Sequence, residues 1–279
     1  MLLNLIFWAI AIGSSLGLWL GVHSFSAWWL LLLIPGGYVC AVLLYFFCLF
    51  VASLFMPKRE PKKTSPICRF FIWFSMDWLM CVMGIRVRLT GTDRIPSCPC
   101  VFVSNHRSDF DPMTLLAVFR ERRIVYISKK ENFKIPIVGP FICNAGFLAI
   151  DRENGMRALR TLKSAAERMK AEALDVGIYP EGTRSRTGKL LRFKSGAFYL
   201  AKEAEAPIVI LTTRGTERVS KRFLFTPLTV HLDVVDVIDA ETVSALSVEE
   251  LSAKTRATVE EKLVEFEGTD VKKGTKEGE

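Results

Sequence analysis

Three short stretches of the chain bring together a base, carboxylates, arginines and glycines at spacings that could do chemistry. The first reads Ser104-Asn105-His106-Arg107-Ser108-Asp109-Phe110-Asp111-Pro112. An apolar run ends at Ser104, and Asp111-Pro112 reads as a helix start, with Asp111 as N-cap and Pro112 at the first helical position. His106 then sits in a turn just past a strand end, with Asp111 near enough to fold back towards it. A carboxylate bonded to one imidazole nitrogen fixes the tautomer and leaves the other nitrogen free as a general base. A plain helix cap beside a surface histidine fits the same residues.

The second stretch runs from Asp175 through Gly177 and Tyr179-Pro180-Glu181-Gly182-Thr183-Arg184. An apolar strand feeds a loop in which Gly182 permits close backbone approach, and Arg184 lies where strand-end loops gather ligands. Its planar guanidinium suits a phosphate, although a Glu181–Arg184 ion pair would serve as well to hold the loop. The third stretch, Gly146-Phe147-Leu148-Ala149-Ile150-Asp151-Arg152, again ends a short strand on an arginine. Taken alone, Arg152 reads as readily as a surface ion pair.

These loops need a scaffold, and from Ile85 onward short apolar runs alternate with longer amphipathic ones, the rhythm of an α/β fold. Strands are expected at 86–89, 100–104, 124–128, 147–150, 176–179, 208–212 and 228–235. Helices are expected at 112–119, 155–173, 195–204 and 248–266, the last begun by Ser247, with a polar tail over 271–279.

Ahead of that scaffold the composition changes abruptly. The chain has 279 residues with 37 Lys and Arg against 29 Asp and Glu, yet none of these lies between Met1 and Met56. Residues 2–22 and 27–56 are each apolar enough and long enough to cross a bilayer as a helix. They form an expected 1–56 hairpin, transmembrane or, because Pro35-Gly36-Gly37 interrupts the second run, re-entrant. Lys58, Arg59, Lys62 and Lys63 then mark the cytoplasmic side by the positive-inside rule. A 57–84 linker follows, rich in Trp and Phe but carrying Arg69 and Asp77; it fits a helix lying in the interface or a core helix. Residues 85–270 remain as the globular domain.

The seven cysteines form no CxxC pair, which argues against a disulfide framework or a structural zinc site, and with three histidines no metal site is expected. A net charge of +8 without aromatic platforms or a recognisable module speaks for anionic head groups or phosphorylated substrates rather than nucleic acid.

In order and spacing the three stretches, with Ala206-Pro207-Ile208-Val209-Ile210-Leu211 as a fourth, resemble the glycerophospholipid acyltransferase family. The resemblance covers residues 85–215, and Lys129-Lys130-Glu131 with the following Phe133-Lys134-Ile135-Pro136 is similar to the family's stretch between its first two blocks. Tyr179 stands where the family carries Phe, and Ile210 where it carries a second proline. The resemblance implies a glycerol-3-phosphate acyltransferase-like mixed sheet flanked by helices. It implies His106 as the base and Asp111 as its holder. Arg152 and Arg184, with Lys129 as a weaker candidate, would be ligands of the acceptor phosphate, and Glu181, Gly182 and Thr183 would shape that pocket. The implied reaction acylates the sn-2 hydroxyl of 1-acylglycerol 3-phosphate (lysophosphatidic acid) from acyl-CoA or acyl carrier protein, without a cofactor. Other acceptors, hydrolysis of the thioester, and non-catalytic binding of anionic lipid are the rival readings. Since acceptor and product live in the bilayer, a cell-membrane anchor with a cytoplasmic catalytic domain follows from the same resemblance.

Overall fold

The computed structural model describes residues 1–22, 26–57, 63–222 and 226–274, the last eight of these by backbone alone. Residues His23 to Phe25 between the two apolar runs, the basic residues Lys58, Arg59 and Lys62, and the end of the expected tail lie outside them. In chain order the elements are α1 (Leu2–Gly21), α2 (Leu30–Leu54), α3 (Pro66–Val82), β1 (Ile85–Thr90), β2 (Val101–Ser104), α4 (Phe110–Val118), β3 (Ile124–Lys129), α5 (Val138–Asn144), β4 (Leu148–Ile150), α6 (Gly155–Glu172), β5 (Asp175–Ile178), α7 (Gly196–Ala204), β6 (Ile208–Arg214), β7 (Leu228–Ile238), α8 (Ala240–Ala245) and α9 (Val248–Gly274).

The chain forms two compact units, and their boundary does not follow the linear division. Residues Met1–Met83 and Glu131–Gly146 make one, Gly84–Lys130 and Phe147–Glu279 the other. Residues 131–146 join the first unit because α5 packs on α3, with the Phe71 and Phe141 rings edge to face at 6.2 Å and Ser65 N–H donating to the Asn144 carbonyl at 2.8 Å.

In the first unit α1 and α2 are each long and apolar enough to cross a membrane. Their outer faces expose large side chains such as Leu5, Ile10, Leu31, Leu43 and Phe47. Pro35-Gly36-Gly37 does not interrupt the second run, since α2 is continuous through Pro35. Gly37 explains why glycine is used there: a Cβ at this position would lie 3.2 Å from the Ala11 Cα, so its absence lets the two backbones approach. The 57–84 segment contains α3, which packs within the first unit against α1 and α5. Phe74 of α3 joins Leu3, Phe7 and Ala41 in a buried cluster. Two polar tips beside it are satisfied, with Tyr38 Oη donating to Asn4 Oδ1 at 2.6 Å and Trp78 Nε1 donating to Tyr38 Oη at 3.1 Å.

The second unit is built on a mixed seven-stranded sheet in the order β1-β7-β6-β2-β5-β3-β4. Strands β6, β2, β5, β3 and β4 run parallel, whereas β7 is antiparallel to β6 and parallel to β1. Every residue of β2 and β5 is buried, as expected for parallel strands covered on both faces. Helices α6 and α7 pack together, and α9 lies against β6 and β7. Asn154 caps α6, its side chain accepting from Arg157 N–H at 3.0 Å, and Ser247 and Glu250 form a reciprocal capping box at the start of α9. Helix α9 continues to Gly274, four residues into the expected tail. The parallel run matters most for function, because it brings the C-terminal ends of β2, β5, β3 and β4 to one edge.

Candidate active site

Each of the three sequence stretches leaves that edge. His106 follows β2, Tyr179 to Arg184 follow β5, and Arg152 follows β4. Since β2 and β5 are hydrogen-bonded neighbours, the first two loops meet directly.

His106 and Asp111 form a dyad. His106 Nδ1 lies 2.8 Å from Asp111 Oδ2, with the imidazole 17% and the carboxylate 0% exposed. The same Oδ2 accepts the backbone N–H groups of Arg107 at 2.7 Å and Ser108 at 2.8 Å, and Oδ1 accepts the Thr216 hydroxyl. Asp111 is therefore not the helix cap. Helix α4 begins two residues earlier than expected, with Asp109 at the N-cap, and Asp111 occupies its first turn with the side chain turned back onto the loop. Pro112 is tolerated at the third helical position because the first N–H groups of a helix have no intrahelical acceptor. A carboxylate with four donors is held in one orientation as an acceptor, so Nδ1 carries the proton and Nε2 presents its lone pair. Among the described residues Nε2 has no hydrogen-bond partner.

The ring's position is set by aromatic stacking. Tyr179 lies parallel to His106 with centroids 4.3 Å apart, and Tyr126 of β3 stacks on Tyr179 at 5.6 Å and 4°. Burial pushes both phenols up, so they stay neutral. Tyr126 faces Gly177 across the β3–β5 register, where a Cβ would come within 2.5 Å of its ring. Glycine at 177 is what admits that ring.

Glu181 stitches the two loops together. It is buried, its Oε1 accepts His106 N–H at 2.6 Å and its Oε2 accepts Leu191 N–H at 3.0 Å. Burial raises its pKa, and the two backbone bonds pull it part of the way back. Ser185 N–H returns a bond to the His106 carbonyl at 2.8 Å. The anticipated Glu181–Arg184 ion pair is not the one formed: Arg184 pairs with Asp109, and both side chains are largely exposed. A pair so solvated is weak and can be exchanged for a ligand's anion.

Beside Tyr179 opens a small cleft of about 90 Å³ whose wall includes Arg152, Gly182, Lys194, Ile150 and Ile178. Arg152 and Gly182 thus come together with the dyad's stacking partner. Thr183 lies exposed on the same loop, and Lys129 is exposed at the end of β3, opposite Ile150 in register but not among the residues lining the cleft. The sequence reading missed Thr216, Tyr126 and Lys194. Thr216 carries no local signal, since it is brought to Asp111 from 105 residues away. Tyr126 could have been found as the one aromatic residue of its strand, and Lys194 as a basic residue in the segment after the Gly182 loop.

The arrangement is a base with an oriented imidazole beside a cationic cleft, suited to activating an alcohol on a phosphorylated substrate. Known proteins agree with it. Residues 86–213 match a protein family described as Acyltransferase. The human 1-acyl-sn-glycerol-3-phosphate acyltransferase beta is 36% identical over 201 residues, covering 71% of this chain and 72% of that protein. The enzyme of the same name from Escherichia coli strain K12 is 28% identical over 224 residues, 79% of this chain and 88% of that one. Among solved structures, the 1-acyl-sn-glycerophosphate (LPA) acyltransferase PlsC from Thermotoga maritima superposes with a TM-score of 0.61 at 25% identity, covering 80% of this chain and 89% of that chain. On sequence motifs, sheet topology and relatives alike, the chain belongs to the glycerophospholipid acyltransferase family.

Proposed function

We propose that this acyltransferase moves an acyl group from an acyl thioester to the sn-2 hydroxyl of 1-acylglycerol 3-phosphate, producing phosphatidic acid for phospholipid synthesis. The observation that carries the reading is the fully bonded, buried Asp111 holding His106 through Nδ1, which leaves Nε2 to take the proton. His106 takes the hydroxyl proton as the oxygen attacks the thioester carbonyl. The tetrahedral adduct collapses with cleavage of the C–S bond, and the imidazolium returns the proton to the departing thiolate. Asp111 stabilises the imidazolium without itself changing protonation. Arg152 and Arg184 hold the acceptor phosphate, Arg184 by leaving Asp109, with Lys129 as an outlying cation. Glu181, Gly182 and Thr183 shape the loop beneath. No cofactor enters this scheme, and the thiol carrier, coenzyme A or acyl carrier protein, is a cosubstrate.

The membrane reading rests on α1 and α2. A chain tethered through them meets its lysolipid inside the bilayer, avoiding extraction that costs about 0.8 kcal/mol for each acyl CH₂. The basic residues 58–63 support a catalytic unit on the cytoplasmic side of the cell membrane.

Mass spectrometry of lipids formed from a labelled acyl donor and a mixture of lysolipids tests the reading. Wild-type protein is expected to label phosphatidic acid, and His106→Ala to label nothing above background. Full turnover by that variant removes the base. Release of thiol with no lysolipid present shows a thioesterase instead.

A further inference from the structure

The loop that follows β5 carries charge of one sign only. Between Glu181 and Glu203 the chain has six cations and no acid, so nothing nearby in sequence neutralises them. Two are accounted for: Arg184 pairs with Asp109, and Lys202 donates to the carbonyls of Val243, Ser244 and Leu246. Arg186, Lys189, Arg192 and Lys194 are exposed and form no ion pair among the described residues. Cations on α6 and α9 are treated differently, since Arg168, Lys170, Arg256 and Lys262 each lie within 3.0 Å of a glutamate. Arg192 and Lys194 also line a concavity of about 680 Å³, which Arg256 and the single carboxylate of Glu249 share. The loop is fastened to the catalytic residues by its backbone. Ser185 N–H donates to the His106 carbonyl at 2.8 Å, the Gly188 carbonyl accepts Arg107 Nη2 at 2.9 Å, and Leu191 N–H donates to Glu181 at 3.0 Å.

We propose that residues 186–194 form a docking surface for the anionic head groups of a lipid bilayer, and that anionic lipid other than the substrate speeds acyl transfer through it. The inference rests on the membrane and acyl-transfer readings above and extends them from the apolar helices to a charged surface of the second unit. Charge alone would suit several polyanions, and the side chains of the loop choose among them. Phe193, its one aromatic residue, is buried and offers no platform for a nucleic-acid base. Leu190 and Leu191 are half-buried, which leaves no exposed apolar anchor of the kind on which a protein partner closes. What remains is a run of long, unpaired cations. Such segments lie on anionic leaflets, where each Lys or Arg contributes about a fivefold factor in partition. A chain that enters a bilayer through α1 and α2 keeps a lipid surface at high local concentration for its other residues, so a weak contact is enough. Because the loop bonds to the His106 and Glu181 backbone and side chain, docking it steadies the rim of the site.

Proteoliposomes of the full-length protein test this, at a fixed mole fraction of lysophosphatidate in phosphatidylcholine with or without phosphatidylglycerol. The wild type is compared with a variant carrying Arg186→Glu, Lys189→Glu and Arg192→Glu together. Arg184 and Lys194 are kept, since the first is proposed to hold the acceptor and the second lines its cleft. Wild-type transfer is expected to rise about fivefold or more with phosphatidylglycerol and to lose that gain in high salt, whereas the variant shows no rise. In neutral detergent micelles the two proteins should turn over within about twofold of each other, which establishes that the variant is folded. Hydrogen exchange of the wild type reads the contact without catalysis, and the amides of residues 186–194 are expected to exchange more slowly on phosphatidylglycerol vesicles than on phosphatidylcholine. No rise in the wild type, or an equal rise in the variant, overturns the proposal while phosphatidic acid formation stands. So does exchange that is the same on both lipids. A variant impaired in neutral lipid only when the acyl group arrives on acyl carrier protein gives the loop to an acidic protein instead and also overturns it. If no product forms from any donor yet the loop is protected on anionic vesicles, the acyl-transfer reading falls and the docking surface remains.

Discussion

Asp111 accepts four hydrogen bonds, three of them on the oxygen that faces His106. Asp111→Asn replaces an acceptor-only group by one that must donate, favouring the imidazole tautomer with the proton on Nε2. The expected result is a loss of turnover of roughly 10³–10⁴-fold with the fold retained, measured by single-turnover kinetics beside a thermal melt. Thr216→Val leaves Oδ1 buried without its hydroxyl donor and should lower stability by about 1–3 kcal/mol, with a smaller loss of activity. The thiols give a pH test of burial. Desolvation pushes Cys100 up to about 12, with Arg122 pulling the other way, whereas Cys98 two residues earlier is exposed. Alkylation at pH 8 should therefore mark Cys98 and spare Cys100 until the chain unfolds. Above pH 9 the unfolded Cys100 thiol ionises while the folded one keeps its proton. The unfolded state then binds fewer protons and stability falls as pH rises towards 12, a slope that Cys100→Ala should flatten in melts taken across that range.

The elements act as mounts for those residues. Strand β5 carries Gly177 under the Tyr126 ring, and the Tyr126–Tyr179–His106 stack depends on that missing side chain. Gly177→Ala forces the ring away from its 2.5 Å approach and is expected to cost about 1–3 kcal/mol in stability. It should also lower turnover more than it raises either KM, because it tilts the base rather than the substrate. Ile210, where the family carries a second proline, lies in a strand paired on both sides, with Val103 of β2 and Asp236 of β7; the register shift beside it leaves Val235 of β7 unpaired in that ladder.

Across the whole second unit the two edges of the parallel run are put to different uses. The C-terminal edge holds the dyad and both arginine loops. At the N-terminal edge, Arg122 grips both oxygens of Asp175 at 2.7 and 2.8 Å and also donates to the Pro96 and Cys98 carbonyls, while Asp175 accepts Cys100 N–H. Arg122→Ala strands that buried carboxylate and should lower the melting transition by the equivalent of about 1–3 kcal/mol. Turnover of the protein that remains folded should be unchanged, a separation that paired melting and activity measurements can read.

How much of this was legible in the chain differs by kind of information. The charge-free first 56 residues, the seven strands and the strand-end positions of His106, Glu181 and Arg152 follow from composition and periodicity, because each is a local property of neighbouring residues. The continuity of α2 through Pro35, the transfer of residues 131–146 to the first unit and the true start of α4 do not. Each depends on packing against segments distant in sequence. The same holds inside the site. Sequence could name His106 and its partner carboxylate, whereas Thr216, the Tyr126 stack and the exchange of partners that joins Arg184 to Asp109 arise only when parallel strands bring separate loops to one edge. Spacing along a chain specifies which groups are available, and the tertiary fold decides which of them meet, since side-chain hydrogen bonds and stacking act over a few ångströms whatever the sequence separation.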